Sequence, residues 1–214
     1  MADNVSTRNG RIRKASRRRR EQEKEELRQL ILKVAGTLFL ELGYDRFSMR
    51  RVAEEIGYSV ATLYLYFRDK DELLFAIVDT GFSQFIQQLT IEATNTIDPW
   101  RRLMKLADVY ISFGLHNPVY YQLMFLWRPE YLTQVRGDNT PKRLESFHLL
   151  EEAVQAAVDA GVMVPTDVRT CSDALWMMVH GIVSLAISMP MFDEERIQQV
   201  SAFAQEVFKK ALTL

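Results

Sequence analysis

Apolar residues in this chain recur at helical spacing and nowhere alternate with a sustained period of two, which leaves no room for a β architecture. The first run, Leu27, Leu30, Ile31, Val34, Ala35, Leu38, Phe39 and Leu42, marks one face of a helix beginning near Glu23. Gly43 comes next, where a left-handed residue commonly closes a helix. Ser48 is a good N-cap for a short helix from Met49 to Ile56, which Gly57 can close. Ser59 can cap a third helix running to about Phe67. Asp69, with Glu72 three residues on, starts a fourth in a capping-box arrangement. Its apolar stripe continues through Leu73, Leu74, Ile77, Val78, Phe82, Phe85, Ile86 and Leu89.

Proline punctuates the remainder. Asp98-Pro99, Asn117-Pro118 and Thr140-Pro141 each pair a capping residue with proline at the first helical position. They predict helices over 99–116, 118–127 and 141–160. Gly161 and Pro165 end the last of these, and Pro190 separates two more over 167–188 and 193–212. The expected fold class is all-α with about nine helices.

Composition adds one strong constraint. Residues 1–20 hold eight basic side chains against Asp3 alone, a net of +7, so the remaining 194 residues carry −8. With almost no apolar residues, residues 1–22 read as a basic disordered arm. A basic arm on an acidic body points to an anionic partner at one end of the molecule. Cys171 stands alone, which excludes an internal disulfide framework and suits a reducing, cytoplasmic compartment. No apolar stretch of a signal peptide opens the chain. Ala174 to Phe192 is nearly long enough to span a bilayer, but a helix apolar all round is equally at home buried in protein, and no membrane partner is expected.

Two short helices joined by a tight glycine-containing turn are what a helix-turn-helix requires, and 48–56 and 59–67 meet that description through Gly57 and Tyr58. Val52, Ala53, Ile56, Leu63 and Phe67 would pack inward. Val60, Ala61, Thr62, Tyr64 and Tyr66 would then face a DNA major groove. Thr62 and Tyr64 can hydrogen-bond phosphates or base edges, and Val60 and Ala61 can meet a thymine methyl group. Lys70, and Ser48 with Arg50, stand at helix starts suited to a phosphate.

Ile31 to Leu74 resembles the N-terminal domain of the TetR/AcrR family of transcriptional regulators. The matching landmarks are Ala35, Phe39, Gly43, Ser48, Ala53, Gly57, Ser59, Thr62, Leu63, Tyr64, Phe67, Lys70 and Leu74. The resemblance implies an all-helical homodimer whose third helix reads double-stranded DNA, most often a repressor on a palindromic operator. Carried over by position, Ser48, Ser59, Thr62, Tyr64, Tyr66 and Lys70 become DNA contacts. Tyr58 and Leu65 depart from the family pattern and bear on operator sequence. The arm, with Arg17, Arg18, Arg19 and Arg20, is expected to track phosphates or enter a minor groove. The domains are then the arm (1–22), the helix-turn-helix (23–68) and a ligand-binding and dimerisation domain (69–214).

That last domain is rich in aromatic and methionine side chains, which suit an apolar or aromatic small-molecule effector lodged between helices. Trp100, Tyr110, Phe113, Tyr121, Phe125, Phe147, Trp176, Met177 and His180 are the candidate pocket residues. Leu175 to Gly181 resembles a C-terminal subclass of the same family marked by Trp176, His180 and Gly181, in which Gly181 would let another helix come close. An apolar 167–188 and the stripe Ile197, Val200, Phe203, Ala204, Val207, Phe208 and Ala211 suit a dimer contact. Enzymatic chemistry finds no footing: His116, His148 and His180 lack metal-binding spacing, and no phosphate loop or nucleophile elbow occurs. No catalytic residue, metal or cofactor is expected. The other alternative is a ligand-binding protein whose helix-turn-helix has lost DNA binding, against which Thr62, Tyr64 and Lys70 all stand intact.

Overall fold

The computed structural model describes residues 2–126 and 142–213, residues 2–13 by backbone alone. Among the described residues there are nine α-helices and no strand: α1 (Ala2–Arg46), α2 (Met49–Ile56), α3 (Val60–Tyr64), α4 (Lys70–Asn95), α5 (Pro99–His116), α6 (Pro118–Tyr121), α7 (Lys142–Asp159), α8 (Val168–Ser188) and α9 (Glu194–Leu212). A π-helical turn, Gln122–Leu126, extends α6. Trp127 and the Thr140-Pro141 helix start lie outside the described residues.

Caps explain most of these boundaries. Ser48 Oγ accepts the Arg51 N–H at 3.3 Å, and Ser59 Oγ accepts the Thr62 N–H at 3.0 Å. Asp98, Asp167 and Asp193 do the same for Arg101, Thr170 and Arg196 at 2.6, 2.7 and 2.8 Å. Each bond satisfies an N–H that the first helical turn leaves without a partner. Gly57 closes α2 at φ 73°, with Tyr58 N–H bonded to Ala53 O and Gly57 N–H to Glu54 O, the paired bonds of a Schellman ending. Asp69 Oδ1 accepts the Glu72 N–H at 2.8 Å, but the returning Glu72 carboxylate takes the Arg68 N–H at 2.6 Å rather than that of Asp69. Asn117 is at once the C-cap of α5 and the N-cap of α6: its carbonyl accepts the Tyr121 N–H at 2.9 Å, while its side chain turns back, Nδ2 donating to Phe113 O at 3.0 Å.

The arm differs from the disorder its composition predicts. Helix α1 begins at Ala2 and carries residues 14–26 fully exposed, with no tertiary burial. Arg17–Glu21 at 2.9 Å, Arg19–Glu23 at 2.8 Å and Gln22–Glu26 at 2.8 Å link successive turns. Arg, Lys, Gln and Glu are good helix formers, and such i,i+4 pairs add about 0.2–0.5 kcal/mol each. At the other end Gly43, at φ 71°, interrupts α1 where the sequence places its close.

The chain divides into two compact units, residues 1–77 and 78–214, with the boundary inside α4 rather than at 68/69. The first turns of α4 belong with the N-terminal unit because Leu73, Leu74 and Ile77 are buried in its core. That core also holds Ile31, Leu32, Ala35 and Phe39 of α1, and Phe39 stacks on Phe47 at 3.5 Å between ring centroids. Leu30, placed on the inner face by the sequence periodicity, is 40% exposed, and Leu32 is buried instead.

In the C-terminal unit α5 packs on α7 and α8, with α9 against α8. Gly114 permits the closest crossing, since a Cβ there would lie 2.3 Å from Val183 Cγ1. Among the described residues no helix of the same chain uses Gly181 in this way: a Cβ there would meet nothing within 4 Å. Helix α8 is apolar and long enough to span a bilayer by composition, at mean hydropathy 1.4. Only 28% of its most apolar window is buried, so the chain alone does not enclose it as the sequence reading expects.

Candidate functional site

Helix α3 is built to hold its outer face still. It spans only Val60–Tyr64, shorter than the predicted 59–67, because the chain tightens after Tyr64: Leu65 N–H turns back to Thr62 O, and Tyr66 and Phe67 N–H both reach Leu63 O. Leu63 and Phe67 are buried, as are Val52 and Ala53 of α2, while Ile56 is only half-buried. With those side chains fixed, Ala61 and Tyr64 are exposed and Val60, Thr62 and Tyr66 half-exposed. Ser59 Oγ and Thr62 Oγ1 are 2.8 Å apart, which sets the Thr62 rotamer and leaves its hydroxyl further bonding capacity. Leu65 is the most exposed of this group at 79%, an apolar tip beside Tyr64.

The basic candidates are less free than their sequence positions imply. Lys70 donates to Tyr44 O at 3.1 Å and lies 3.8 Å from the Tyr44 ring centroid, while the Tyr44 hydroxyl is paired with Asp71. Its ammonium has donors left, but it anchors α4 to the end of α1 first. Lys24 lies 6.0 Å from the Tyr66 ring centroid. Arg50 is bonded to Glu54 at 2.9 Å, and both side chains are well exposed. Such an exposed pair is worth at most about 1 kcal/mol, so a phosphate can displace the carboxylate. Arg17, Arg18, Arg19 and Arg20 are all exposed, and four consecutive residues at 100° intervals ring the helix rather than stripe it.

A cavity of about 250 Å³ opens within the C-terminal unit. Phe85 and Leu89 of α4, Leu103, Met104, Leu106 and Tyr110 of α5, and Phe125 of the π-turn contribute to its wall. Helix α7 adds Arg143, Phe147 and Leu150, α8 adds Arg169, Asp173, Trp176 and Met178, and α9 adds Gln205 and Phe208. Of the sequence candidates, Tyr110, Phe125, Phe147 and Trp176 are brought together there. Trp100, Phe113, Tyr121, Met177 and His180 do not line it. Phe113 and Tyr121 are core residues, and Met177 is 65% exposed, turned away from the cavity that its neighbour Met178 lines. The aliphatic lining of α5 and α7 escapes a sequence reading because leucines at helical spacing carry no mark distinguishing cavity from core.

Behind the wall lies a polar relay. Trp176 Nε1–H donates to Tyr110 Oη at 3.2 Å, the Tyr110 and Tyr121 hydroxyls are 3.2 Å apart, and Tyr121 Oη lies 2.6 Å from His180 Nδ1. Burial pushes the Tyr110 hydroxyl up to about 12 and the Tyr121 hydroxyl higher still, and it lowers the His180 pKa. The relay therefore favours a neutral imidazole at His180. His116 and His148 are engaged elsewhere, with Ser112 and Glu151.

A helix-turn-helix unit together with a helical unit containing an apolar cavity defines the class of ligand-responsive transcriptional regulators. Residues 31–77 match the family of bacterial regulatory proteins, tetR family, and residues 103–208 match the tetracyclin repressor-like C-terminal domain. The chain is 28% identical over 183 residues to the HTH-type transcriptional regulator YfiR of Bacillus subtilis, covering 82% of this chain and 85% of that one. An HTH-type regulator of Staphylococcus aureus is 41% identical over 92 residues, 43% of this chain and 50% of that protein, so the chain matches about half that relative's length. Among solved structures, a Rhodococcus sp. RHA1 protein of unknown function is similar at TM-score 0.70 and 26% identity, over 88% of this chain and 96% of that one. The TetR family regulator PfmR of Thermus thermophilus shares the fold at TM-score 0.70 and 21% identity, over 84% of this chain and 97% of that one. The chain belongs to the TetR family of bacterial transcriptional regulators. It is a DNA-binding, ligand-responsive regulator, and its relatives are regulators rather than enzymes.

Proposed function

We propose that this protein is a cytoplasmic repressor that binds a palindromic operator as a homodimer and is released by a small apolar or aromatic effector. The cavity of about 250 Å³ carries the reading, because a core serving only stability would be filled. Thr62, Tyr64, Ala61 and Val60 are the proposed base-reading side chains, with Tyr66, Lys70, Arg50 and the amide ends of α2 and α3 at Ser48 and Ser59 on phosphates. Arg17 to Arg20 are proposed to track the DNA backbone beyond the half-site.

The proposed dimer contact is the uncovered face of α8 and α9. On α8, Ala174, Met177, Gly181 and Leu185 share one exposed or half-exposed stripe, and the open space over Gly181 admits a second helix. On α9, Phe203 is 68% and Val207 45% exposed. Membership of the Trp-His-Gly subclass is part of the proposal, supported by Trp176, His180 and Gly181 standing at the subclass spacing. Two α3 helices in such a dimer must stand roughly 34–36 Å apart to meet successive half-sites. Helix α4 supplies both Lys70 and the cavity residues Phe85 and Leu89, so a ligand favouring another α4 position lowers DNA affinity.

Selection of bound duplexes from a random DNA pool tests the reading, with Thr62→Ala/Tyr64→Ala run alongside. The native protein is expected to enrich a palindrome and the double variant to enrich none. A chain lacking residues 1–22 should bind the same sequence with a flatter salt dependence. Absence of enrichment at low salt would leave a ligand-binding protein without an operator and sink the proposal.

A further inference from the structure

Lys142 and Arg143 are adjacent cations on α7. A cation drawn partly out of water beside apolar side chains is stabilised by an anion within ion-pair distance. Lys142 has one, since its Nζ lies 2.8 Å from Asp79 Oδ1 and also bonds Ser83. Arg143 has none: among the described residues no carboxylate lies within ion-pair distance of its guanidinium, and the residue is half-buried at the cavity wall.

The other ionisable residues of the wall are already paired. Arg169 lies 3.4 Å from Asp173 and 3.2 Å from Glu151, and its guanidinium stacks over Phe147 at 4.4 Å. The wall thus presents one uncompensated positive charge beside a largely apolar space. From these observations we infer that the effector is an amphiphilic carboxylate, its anionic end on Arg143 and its apolar body against Leu103, Leu150, Trp176 and Phe208. This deepens the reading of the cavity as the effector site and rests on it.

Guanidinium and carboxylate match in shape as well as charge, through two parallel N–H···O bonds. Size narrows the class. A cavity of about 150 Å³ takes benzene, so the present one suits about ten non-hydrogen atoms by proportion. Octanoate has that size, as does a phenylalkanoate.

Calorimetric titration of the full chain without DNA tests this, using octanoate, octanol and octylamine as probes. Octanoate should bind at least about tenfold more tightly than octanol, the worth of one charge-assisted bond, and octylamine more weakly than either. Arg143→Met should erase the octanoate advantage while octanol still binds, which shows the cavity intact. Arg143→Lys, which keeps the charge, should retain part of the preference. Equal affinity for octanoate and octanol, no binding of either, or a preference that survives Arg143→Met would overturn the inference. With no DNA present, these outcomes are separate from operator selection: a protein that enriches a palindrome yet ignores octanoate loses only the carboxylate.

Discussion

His180 Nδ1 lies within hydrogen-bond distance of two tyrosine hydroxyls, Tyr121 at 2.6 Å and Tyr110 at 3.0 Å. Neither hydroxyl ionises near neutrality, so neither offers a negative charge to a protonated ring. Burial also lowers its pKa below the ordinary 6.5. Folding therefore favours the neutral form, and the stability it contributes is complete above the unfolded pKa. That stability is lost as pH falls through 6.5 toward the depressed folded value. His180→Gln keeps an acceptor and cannot titrate. Its melting temperature should depend less on pH between about 7.5 and 5.5 than that of the native protein. Parallel melting curves for the two proteins would show that the ring does not titrate in that window. Sequence reasoning puts His180 among the pocket residues; its partners lie 59 and 70 positions away, and no local pattern announces them.

At the scale of single elements, α3 depends on its first residue. Five residues cannot sustain a helix by propagation, so the Ser59 cap and the burial of Leu63 hold it. Ser59→Ala should cost about 1 kcal/mol in urea unfolding, and Ser59→Gly only a few tenths. Equal losses would mean that the side-chain bond to Thr62 is not what starts the helix. Capping chemistry also makes many boundaries legible in the sequence: Ser48, Ser59, Asp69, Asp98, Asp167 and Asp193 act within three residues of themselves. Composition misjudges α1 because its argument for disorder counts missing apolar residues and overlooks Arg-to-Glu pairs four apart. Asn117 is ambiguous in sequence because an amide side chain can accept from the helix after it or donate to the helix before it.

For the whole molecule, the uncovered stripes of α8 and α9 are the proposed dimer contact. Phe203→Asp/Val207→Asp should move the protein from twice the chain mass to 24.9 kDa in analytical ultracentrifugation and abolish palindrome binding. Two charges buried without partners across an apolar contact cannot be offset there. A variant that stays dimeric would place the contact elsewhere, and a native protein that sediments as a monomer would remove the dimer from the proposed mechanism.

Most of the helix pattern, the helix-turn-helix and the family were determined by the sequence itself, because periodicity, caps and the α2–α3 turn are local and are written in consecutive residues. Tertiary structure alone decided the rest. It put the unit boundary inside α4, set Gly114 at a close crossing within the chain, and separated Tyr110, Phe147 and Trp176 at the cavity from Phe113 and Tyr121 in the core. It also left Arg143 without a carboxylate among the described residues while giving Lys142 one. Those outcomes depend on which helix faces which, and side chains of the same chemistry at the same spacing serve either side of that choice.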